Sequence, residues 1–199
     1  MKLVSGFGIH FVVGLIISLI ILTPEYAPFL KSEIHKNPNP VYGTTLTESD
    51  PWPTPDSMIG GIPVYHRFDH MKALFGFDND TTYIINFWAT WCKPCIEELP
   101  LFESLHSDPE TDKIKIILVS LDFADQVEST LIPFVQKQPL KSTVVLLLDS
   151  HFNEWIDEIS PDWSGAIPAT YLYKRDQNRL VQTKFKNLDE LKESIKPFL

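Results

Sequence analysis

An α/β fold, in which a central mixed β-sheet is flanked by helices, is the architecture that this sequence predicts. Short runs of β-branched and aromatic residues alternate with segments whose apolar residues recur at helical spacing. Such alternation is typical of parallel βαβ units with right-handed crossovers. The chain has 199 residues, of which 44% are hydrophobic, and this suffices for one core of ordinary size. We therefore expect a single folded domain, at residues 60–199, preceded by other sequence.

Residues 1–23 are predicted to form a membrane anchor. No formally charged residue occurs between Leu3 and Leu22, and about 20 residues in a helix extend about 30 Å, which spans the bilayer core. A cleaved signal peptide is the alternative, although the small residues that a cleavage site requires are absent. Lys2 precedes the apolar stretch and Glu25 follows it. The positive-inside rule then places the rest of the chain outside the cytoplasm.

Residues 24–59 are predicted to be an extended tether between the anchor and the domain. Prolines recur through this stretch, where they prevent a long helix and favour a semi-rigid chain. These prolines are Pro24, Pro28, Pro38, Pro40, Pro51, Pro53 and Pro55. Trp52 has an alternative role, since its large apolar side chain could dock on the domain.

The first half of the domain is predicted to contain three strands and two helices. Gly60 and Gly61 open it, and a turn at residues 78–80 separates the first helix from the central strand. Pro100 is expected to kink the second helix. The predicted strands are residues 62–65 at an edge, 81–88 in the centre and 113–121, and the predicted helices are residues 68–75 and 93–107.

The second half continues this alternation and ends with a hairpin and a helix. Pro133 should begin or bend the second half of the first helix here, and Asn187 is a suitable N-cap for the last one. The predicted helices are residues 126–138, 152–159 and 188–195, the predicted strand is 144–148, and the hairpin strands are 170–173 and 179–183 around a turn at 176–178.

Cys92 and Cys95 are the only cysteines in the chain, and only two residues separate them, directly after the central strand. Cys92 should lie at a helix N-terminus, where unpaired N–H groups and the helix dipole lower a thiol pKa from about 8.5 into the range of roughly 3.5 to 7.5. Lys93 adds a positive charge, and Pro94 suits the first helical turn because it lacks an N–H. We therefore predict a redox-active disulfide between Cys92 and Cys95.

The segment from Phe87 to Cys95, with Pro100 beyond it, resembles the active-site segment of thioredoxin-fold oxidoreductases. Asn86 before this segment and the residues from Cys95 to Pro100 resemble the TlpA/ResA group of membrane-anchored thiol-disulfide oxidoreductases. The resemblance implies a thioredoxin-like fold and no cofactor. Thiolate chemistry then assigns the attack on a substrate disulfide to Cys92 and the resolution of the mixed disulfide to Cys95.

Glu98 is the predicted acid of the site. Thioredoxin carries a buried aspartate where this chain has Asn86, which favours Glu98 as the group that exchanges a proton with Cys95. The two residues are three positions apart and share one helix face. The alternative is a solvated glutamate that merely suits the helix dipole, and Glu97 is expected to be a surface residue.

Pro168, preceded by Ile167, resembles the cis-proline that lies beside the disulfide in thioredoxin-like proteins. Because proline cannot join a ladder through its nitrogen, the neighbouring backbone can pair with a substrate strand. The alternative is an ordinary proline at the start of a strand.

Four residues are predicted to dock substrates, and Trp88 belongs either with them or in the core. The docking residues are Trp91, Lys93, Pro94 and Ile167.

The partners implied by the resemblance are other proteins. They are disulfide-containing proteins of the bacterial cell envelope, among them apocytochromes c, and a membrane electron donor of the disulfide-reductase type. The catalytic domain would be anchored to the inner membrane and face the periplasm. The formal net charge of −9 argues against nucleic-acid binding, since phosphate recognition relies on basic surfaces.

Two other functions stay open. A disulfide-forming oxidant would differ from a reductase only in the stability of its disulfide. A redox-inert interaction module, or a metal-carrying module, would lack exchange chemistry at Cys92 and Cys95. A zinc carrier would use the pair as half of its site, with His66 and His70 as the histidines of suitable spacing. Such a histidine pair more often lies on a solvated helix face, so no metal is predicted.

Overall fold

The computed structural model describes residues 52–199, so the predicted anchor and most of the predicted tether lie outside the described residues. From residue 52 to the C-terminus, none of the helices combines the length and the apolar character needed to cross a membrane. The described residues form a seven-stranded sheet with the order β1-β2-β5-β4-β3-β6-β7. The strands are β1 (Ser57–Ile59), β2 (Ile62–Tyr65), β3 (Thr82–Trp88), β4 (Ile114–Ser120), β5 (Thr143–Leu147), β6 (Ala169–Lys174) and β7 (Gln177–Val181).

The sheet is mixed. Strands β2, β5, β4 and β3 are parallel to one another, whereas β1, β6 and β7 join antiparallel at the two edges. The helices are α1 (Phe68–Met71), α2 (Lys93–Leu105), α3 (Ile132–Lys137), α4 (Phe152–Ile159) and α5 (Leu188–Ile195). This arrangement confirms the predicted α/β, thioredoxin-like fold.

Two of the predicted helices are interrupted. The helix predicted at 68–75 is an α-helical turn followed by a 3₁₀ turn at Lys72–Phe75. The helix predicted at 126–138 begins as a 3₁₀ turn, continues as a π turn at Val127–Leu131 and only then becomes α3. Pro133 explains the second interruption. It lacks the N–H that would donate to the carbonyl four residues earlier in an α-helix, and the helix widens into a π turn just before it.

Both faces of the central strand β3 are buried, and its side chains alternate between two cores. Ile84 and Trp88 pack in the core that α2, α3 and α5 cover, whereas Ile85 and Phe87 pack in the core that α1 and α4 cover. Asn86 lies between Ile84 and Trp88 on the same face of β3, so its side chain points toward α2. The strand thus places a polar side chain beneath the helix that carries the cysteines.

The folded domain begins before the Gly60 boundary that the sequence predicts. Strand β1 pairs with β2 through a tight turn at Gly60 and Gly61, whose φ angles are 57° and 86°, a conformation that glycine adopts readily. Trp52 docks on the domain, because its Nε1 donates to the Tyr65 hydroxyl at 3.1 Å. Residues 52–59 therefore belong to the domain rather than to the tether.

Candidate active site

The two cysteines form a disulfide at the start of α2, with an S–S distance of 2.04 Å and a Cα–Cα distance of 5.3 Å. Cys92 is the N-cap residue, and Cys95 lies in the first helical turn. Cys92 is 6% exposed, whereas Cys95 is fully buried. Lys93 and Pro94 are the first two helical residues and are exposed. The sulfur of Cys92 is therefore the more accessible of the two, as the sequence predicts.

The environment of Cys92 favours a thiolate once the disulfide opens. Helix α2 has 13 residues, so the positive end of a full helix dipole faces the Cys92 sulfur. The carbonyl of Cys92 accepts the first helical hydrogen bond, from Ile96 N at 3.1 Å, which fixes the residue at the helix end. The Lys93 ammonium adds a positive charge on the exposed side.

The loop before β6 contacts the reactive cysteine. The Ile167–Pro168 peptide bond is cis, as the resemblance implies, and the Ile167 carbonyl oxygen lies 3.9 Å from the Cys92 sulfur. Pro168 is buried and Ile167 is half-buried. Among residues 52–199, no backbone–backbone hydrogen bond uses the Ile167 amide or carbonyl. A substrate segment that reaches Cys92 therefore meets backbone groups that are available for strand-like pairing.

Glu98 is completely buried beneath the disulfide-bearing turn. Its Oε1 accepts a hydrogen bond from Asn86 Nδ2 at 2.9 Å, and its Oε2 accepts one from the Phe185 amide at 3.0 Å. Burial raises the pKa of Glu98 to about 7, although both hydrogen bonds and the Lys184 charge oppose the shift. The alternative of a solvated glutamate is therefore wrong. A carboxyl group that titrates near neutral pH lies one helical turn from Cys95.

Asn86 links this carboxyl group to the strand that follows Pro168. Its Nδ2 also donates to the Thr170 hydroxyl at 3.0 Å, while its Oδ1 has no hydrogen-bond partner among the described residues and is buried. The register that pairs Asn86 with Thr170 across β3 and β6 brings the two side chains together. Thr170 belongs to no motif in the sequence, because this contact depends on strand pairing.

Asp122 also lies at the site, although it is not among the residues predicted there. It is 2% exposed and accepts hydrogen bonds from the Thr90 amide at 3.1 Å, from the Thr90 hydroxyl, and from the Ser120 hydroxyl at 2.7 Å. These contacts fasten the loop that precedes Cys92 to the end of β4. An acidic residue directly after a buried strand was the signal that could have identified it.

The other predicted residues separate into surface and core. Trp91 is 51% exposed and stacks on Phe123, with ring centroids 5.9 Å apart. Trp88 is fully buried and packs against Phe134 at 5.5 Å, so it belongs to the core and not to the docking surface. Glu97 is exposed, as predicted, and pairs with Lys184 at 2.5 Å.

Of the two histidines considered for a metal site, His70 has another contact through its imidazole and His66 has one through its backbone. His70 Nδ1 lies 2.8 Å from Asp56 Oδ1, and the His66 amide donates to Asp56 Oδ2 at 2.7 Å. Within the described part of the chain, no three or more His, Cys, Asp and Glu side chains are grouped so that they could hold a metal ion. The geometry at Cys92 and Cys95 is that of a disulfide, which supports exchange chemistry.

Comparison with known proteins agrees with this chemistry. A sequence profile of the AhpC/TSA family matches residues 72–184, more than half of the chain. Over 100 residues the chain is 36% identical to thioredoxin-like protein YneN of Bacillus subtilis, covering 50% of this chain and 52% of YneN. Over 92 residues it is 30% identical to thiol-disulfide oxidoreductase ResA of Bacillus cereus, covering 46% of this chain and 48% of ResA. The latter match confirms the resemblance to ResA.

The chain thus spans about half the length of these two curated relatives. Among solved structures, a thioredoxin-related protein from Neisseria meningitidis serogroup B aligns with 59% of this chain and 84% of its own, with 18% identity and a TM-score of 0.49.

Proposed function

This chain belongs to the AhpC/TSA family, and we propose that it is a thiol-disulfide oxidoreductase that reduces disulfides in other proteins. One observation carries this proposal: a disulfide at a helix N-terminus with one accessible and one buried sulfur. An accessible sulfur can attack a partner, and a buried sulfur three residues on can release it. The match to a relative named thiol-disulfide oxidoreductase ResA supports the same chemistry.

The reaction transfers two electrons from the reduced cysteine pair to the substrate. The Cys92 thiolate attacks one sulfur of the substrate disulfide, forming a mixed disulfide and releasing one substrate thiolate, which takes up a proton. Cys95 loses its proton and attacks the Cys92 sulfur. The Cys92–Cys95 disulfide then forms, and the second substrate thiolate leaves. A dithiol donor must reduce the pair before the next cycle.

Glu98 is the proposed acceptor of the Cys95 proton. It lies on the same face of α2, three residues after Cys95, and burial brings its pKa to about 7. A base with a pKa near the working pH transfers protons efficiently in both directions. Asn86 and the Phe185 amide hold the carboxyl group in place through their hydrogen bonds.

Insulin reduction tests the exchange activity, and the reduction potential tests its direction. With dithiothreitol as the electron source, the protein should accelerate the reduction of insulin disulfides, and a variant in which both cysteines are serine should not. A disulfide-forming oxidant would also accelerate this reaction, because dithiothreitol supplies the electrons, but its less stable disulfide would give it a higher reduction potential. Retention of a metal ion without this activity would support the metal-carrying alternative.

The proposed location is the outer side of the bacterial inner membrane, with residues 1–23 as anchor and the domain in the periplasm. The uncharged stretch between Leu3 and Leu22 supports this proposal. The partners would then be disulfide-containing envelope proteins and a membrane electron donor. The full chain should remain in the membrane after a carbonate wash, and external protease should digest its domain in spheroplasts. A soluble, shortened protein would contradict the anchor without affecting the redox chemistry.

A further inference from the structure

An apolar groove of about 350 Å³ opens beside Cys92. Two of the predicted docking residues, Trp91 and Ile167, line it, although it takes no part in the transfers of electrons and protons. Its walls come from the loop before Cys92, the end of β4, helix α4 and the loop before Pro168. Three of the five exposed large hydrophobic side chains of residues 52–199 lie here, with 51%, 56% and 39% of their surface exposed. These three are Trp91, Phe123 and Phe152. Such a concentration of exposed apolar surface marks an interaction site.

The groove is continuous with the reacting sulfur. Ile167 is one of its walls, and the carbonyl of the same residue lies 3.9 Å from the Cys92 sulfur. Gly165 lines it as well. Gly165 has a φ of 79°, and a Cβ there would lie 2.9 Å from Ile156 Cδ1, so glycine preserves the shape of this wall. A polypeptide bound at Cys92 therefore passes directly over the groove.

Three sets of contacts order the walls of the groove. At the surface, the rings of Trp91 and Phe123 are nearly parallel, with an interplanar angle of 16°. Below them, the buried Asp122 carboxylate accepts hydrogen bonds from the Thr90 amide and hydroxyl. Across the groove, Phe152 packs against the buried Trp155 at 5.7 Å. A surface that is already ordered loses little entropy when it binds a ligand.

The two segments that supply the aromatic walls are strongly acidic. Residues 121–131 and 149–165 contain eight Asp and Glu residues and neither Lys nor Arg. Arg67 and Lys72, from α1 and its neighbouring residues, offset part of this charge by pairing with Glu154 and Glu158.

Among the exposed carboxylates near the groove, Asp125 and Asp157 form no ion pair in the described part of the chain. Asp157 lies one turn along α4 from Asn153, which lines the groove. Asp125 follows Phe123 by two residues, and both carboxylates are exposed. Both carboxylates belong to the segments that supply the groove's walls, and they add negative charge near it.

We propose that the groove binds a bulky apolar side chain of an extended, positively charged substrate segment, close to the substrate cysteine. This inference rests on the proposed thiol-disulfide exchange and specifies which substrates it favours. A cavity of about 350 Å³ accepts one aromatic side chain, whose burial supplies contact area at little entropic cost. Lysine or arginine residues on either side of that residue then lie near Asp125 and Asp157.

Four matched peptides test the proposal with the full chain. Each contains one cysteine in a mixed disulfide, with either Phe or Ala two residues away and either Lys or Glu at the flanks, and kcat/KM for reduction is measured for each. The Phe peptides should be reduced roughly 10-fold faster or more than the Ala peptides. The Lys peptides should be preferred over the Glu peptides, and this preference should shrink as ionic strength rises.

Variants assign these preferences to the groove. Phe123→Ala and Phe152→Ala should each bring the Phe-to-Ala ratio close to 1, whereas the double variant Asp125→Asn, Asp157→Asn should remove the Lys preference. Met58→Ala removes an equally exposed apolar side chain of β1 that does not line the groove, and it should keep the ratios of the unaltered protein.

Two results would overturn the proposal while leaving thiol-disulfide exchange intact. The first is equal reduction of all four peptides by the unaltered protein. The second is a Phe preference that survives in both Phe123→Ala and Phe152→Ala. Failure of the unaltered protein to reduce any peptide, or the small neutral disulfide of mercaptoethanol, would instead overturn the proposed function on which the groove proposal rests.

Discussion

Cys95→Ser should accumulate mixed disulfides with substrate proteins through Cys92, whereas Cys92→Ser should accumulate almost none. The difference follows from exposure, because Cys92 is 6% exposed and Cys95 is fully buried. Without Cys95 the attack proceeds but resolution fails, and without Cys92 no accessible nucleophile remains. Cys92→Ser should therefore lower turnover by at least about 1,000-fold, a loss typical of removing a nucleophile.

Non-reducing electrophoresis after acid quenching measures this asymmetry. The trapped bands of Cys95→Ser should disappear on reduction, and the variant with both cysteines replaced is the control for non-specific association. Equal trapping by the two single variants would mean that the roles of attacking and resolving cysteine are assigned wrongly.

Glu98→Gln should slow the resolving step by about 100-fold, which is within the range for loss of a positioned general base. Glutamine keeps the size of the side chain but cannot accept the Cys95 proton. When the Asn86 amide turns over, its Oδ1, which has no hydrogen-bond partner among the described residues, faces residue 98 and can accept from the glutamine Nε2, so the variant should fold. A carboxylate near thiols opposes thiolate formation, and its removal should lower at least one macroscopic pKa of the thiol pair.

The matched control is Glu97→Gln, which makes the same charge change on an exposed face of α2 where Glu97 pairs with Lys184. Rapid mixing across a pH series, with single-turnover release of substrate, measures the resolving step in each variant. If the two variants show the same small change, Glu98 acts only through general helix-end electrostatics and has no special role.

The same substitution should also change how stability depends on pH. In the oxidised protein burial raises the pKa of Glu98 from 4.5 to about 7, so the folded state holds this proton over a pH range in which the unfolded chain has lost it. The protonated Glu98 side chain contributes its full stabilisation of the folded state below about pH 4.5, and this stabilisation is lost as the pH rises through about 7. The whole contribution is about 3 kcal/mol, and urea unfolding at pH 5 and pH 8 should show most of it, about 2.5 kcal/mol, in the unaltered protein and not in Glu98→Gln.

The features of the site that the sequence predicts correctly are local ones. Cys92 and Cys95 are two residues apart at a strand-to-helix junction, and that spacing alone places both sulfurs at the helix end. The cis bond at Pro168 follows from a resemblance over a few neighbouring residues. Glu98 follows from helical periodicity relative to Cys95. Each prediction depends on residues close together in the chain.

The features that the sequence does not predict depend on pairing between distant segments. Thr170 reaches Asn86 only because β6 pairs with β3 in one register, and Asp122 meets Thr90 only because β4 lies beside β3. Strand β1 has three residues, too few for a period to be visible. Trp88 could be assigned to the core only once Phe134 was known to cover it.

A redox titration of the purified protein against glutathione or dithiothreitol buffers tests the central claim most directly. A reductase should show one two-electron transition with a potential near that of thioredoxin, about −270 mV, because its dithiol must give electrons to substrate disulfides. A transition near −120 mV, where strong oxidants such as DsbA lie, is higher by about 7 kcal/mol for two electrons and would reverse the assigned direction. The absence of any transition at Cys92 and Cys95 would contradict the redox function itself.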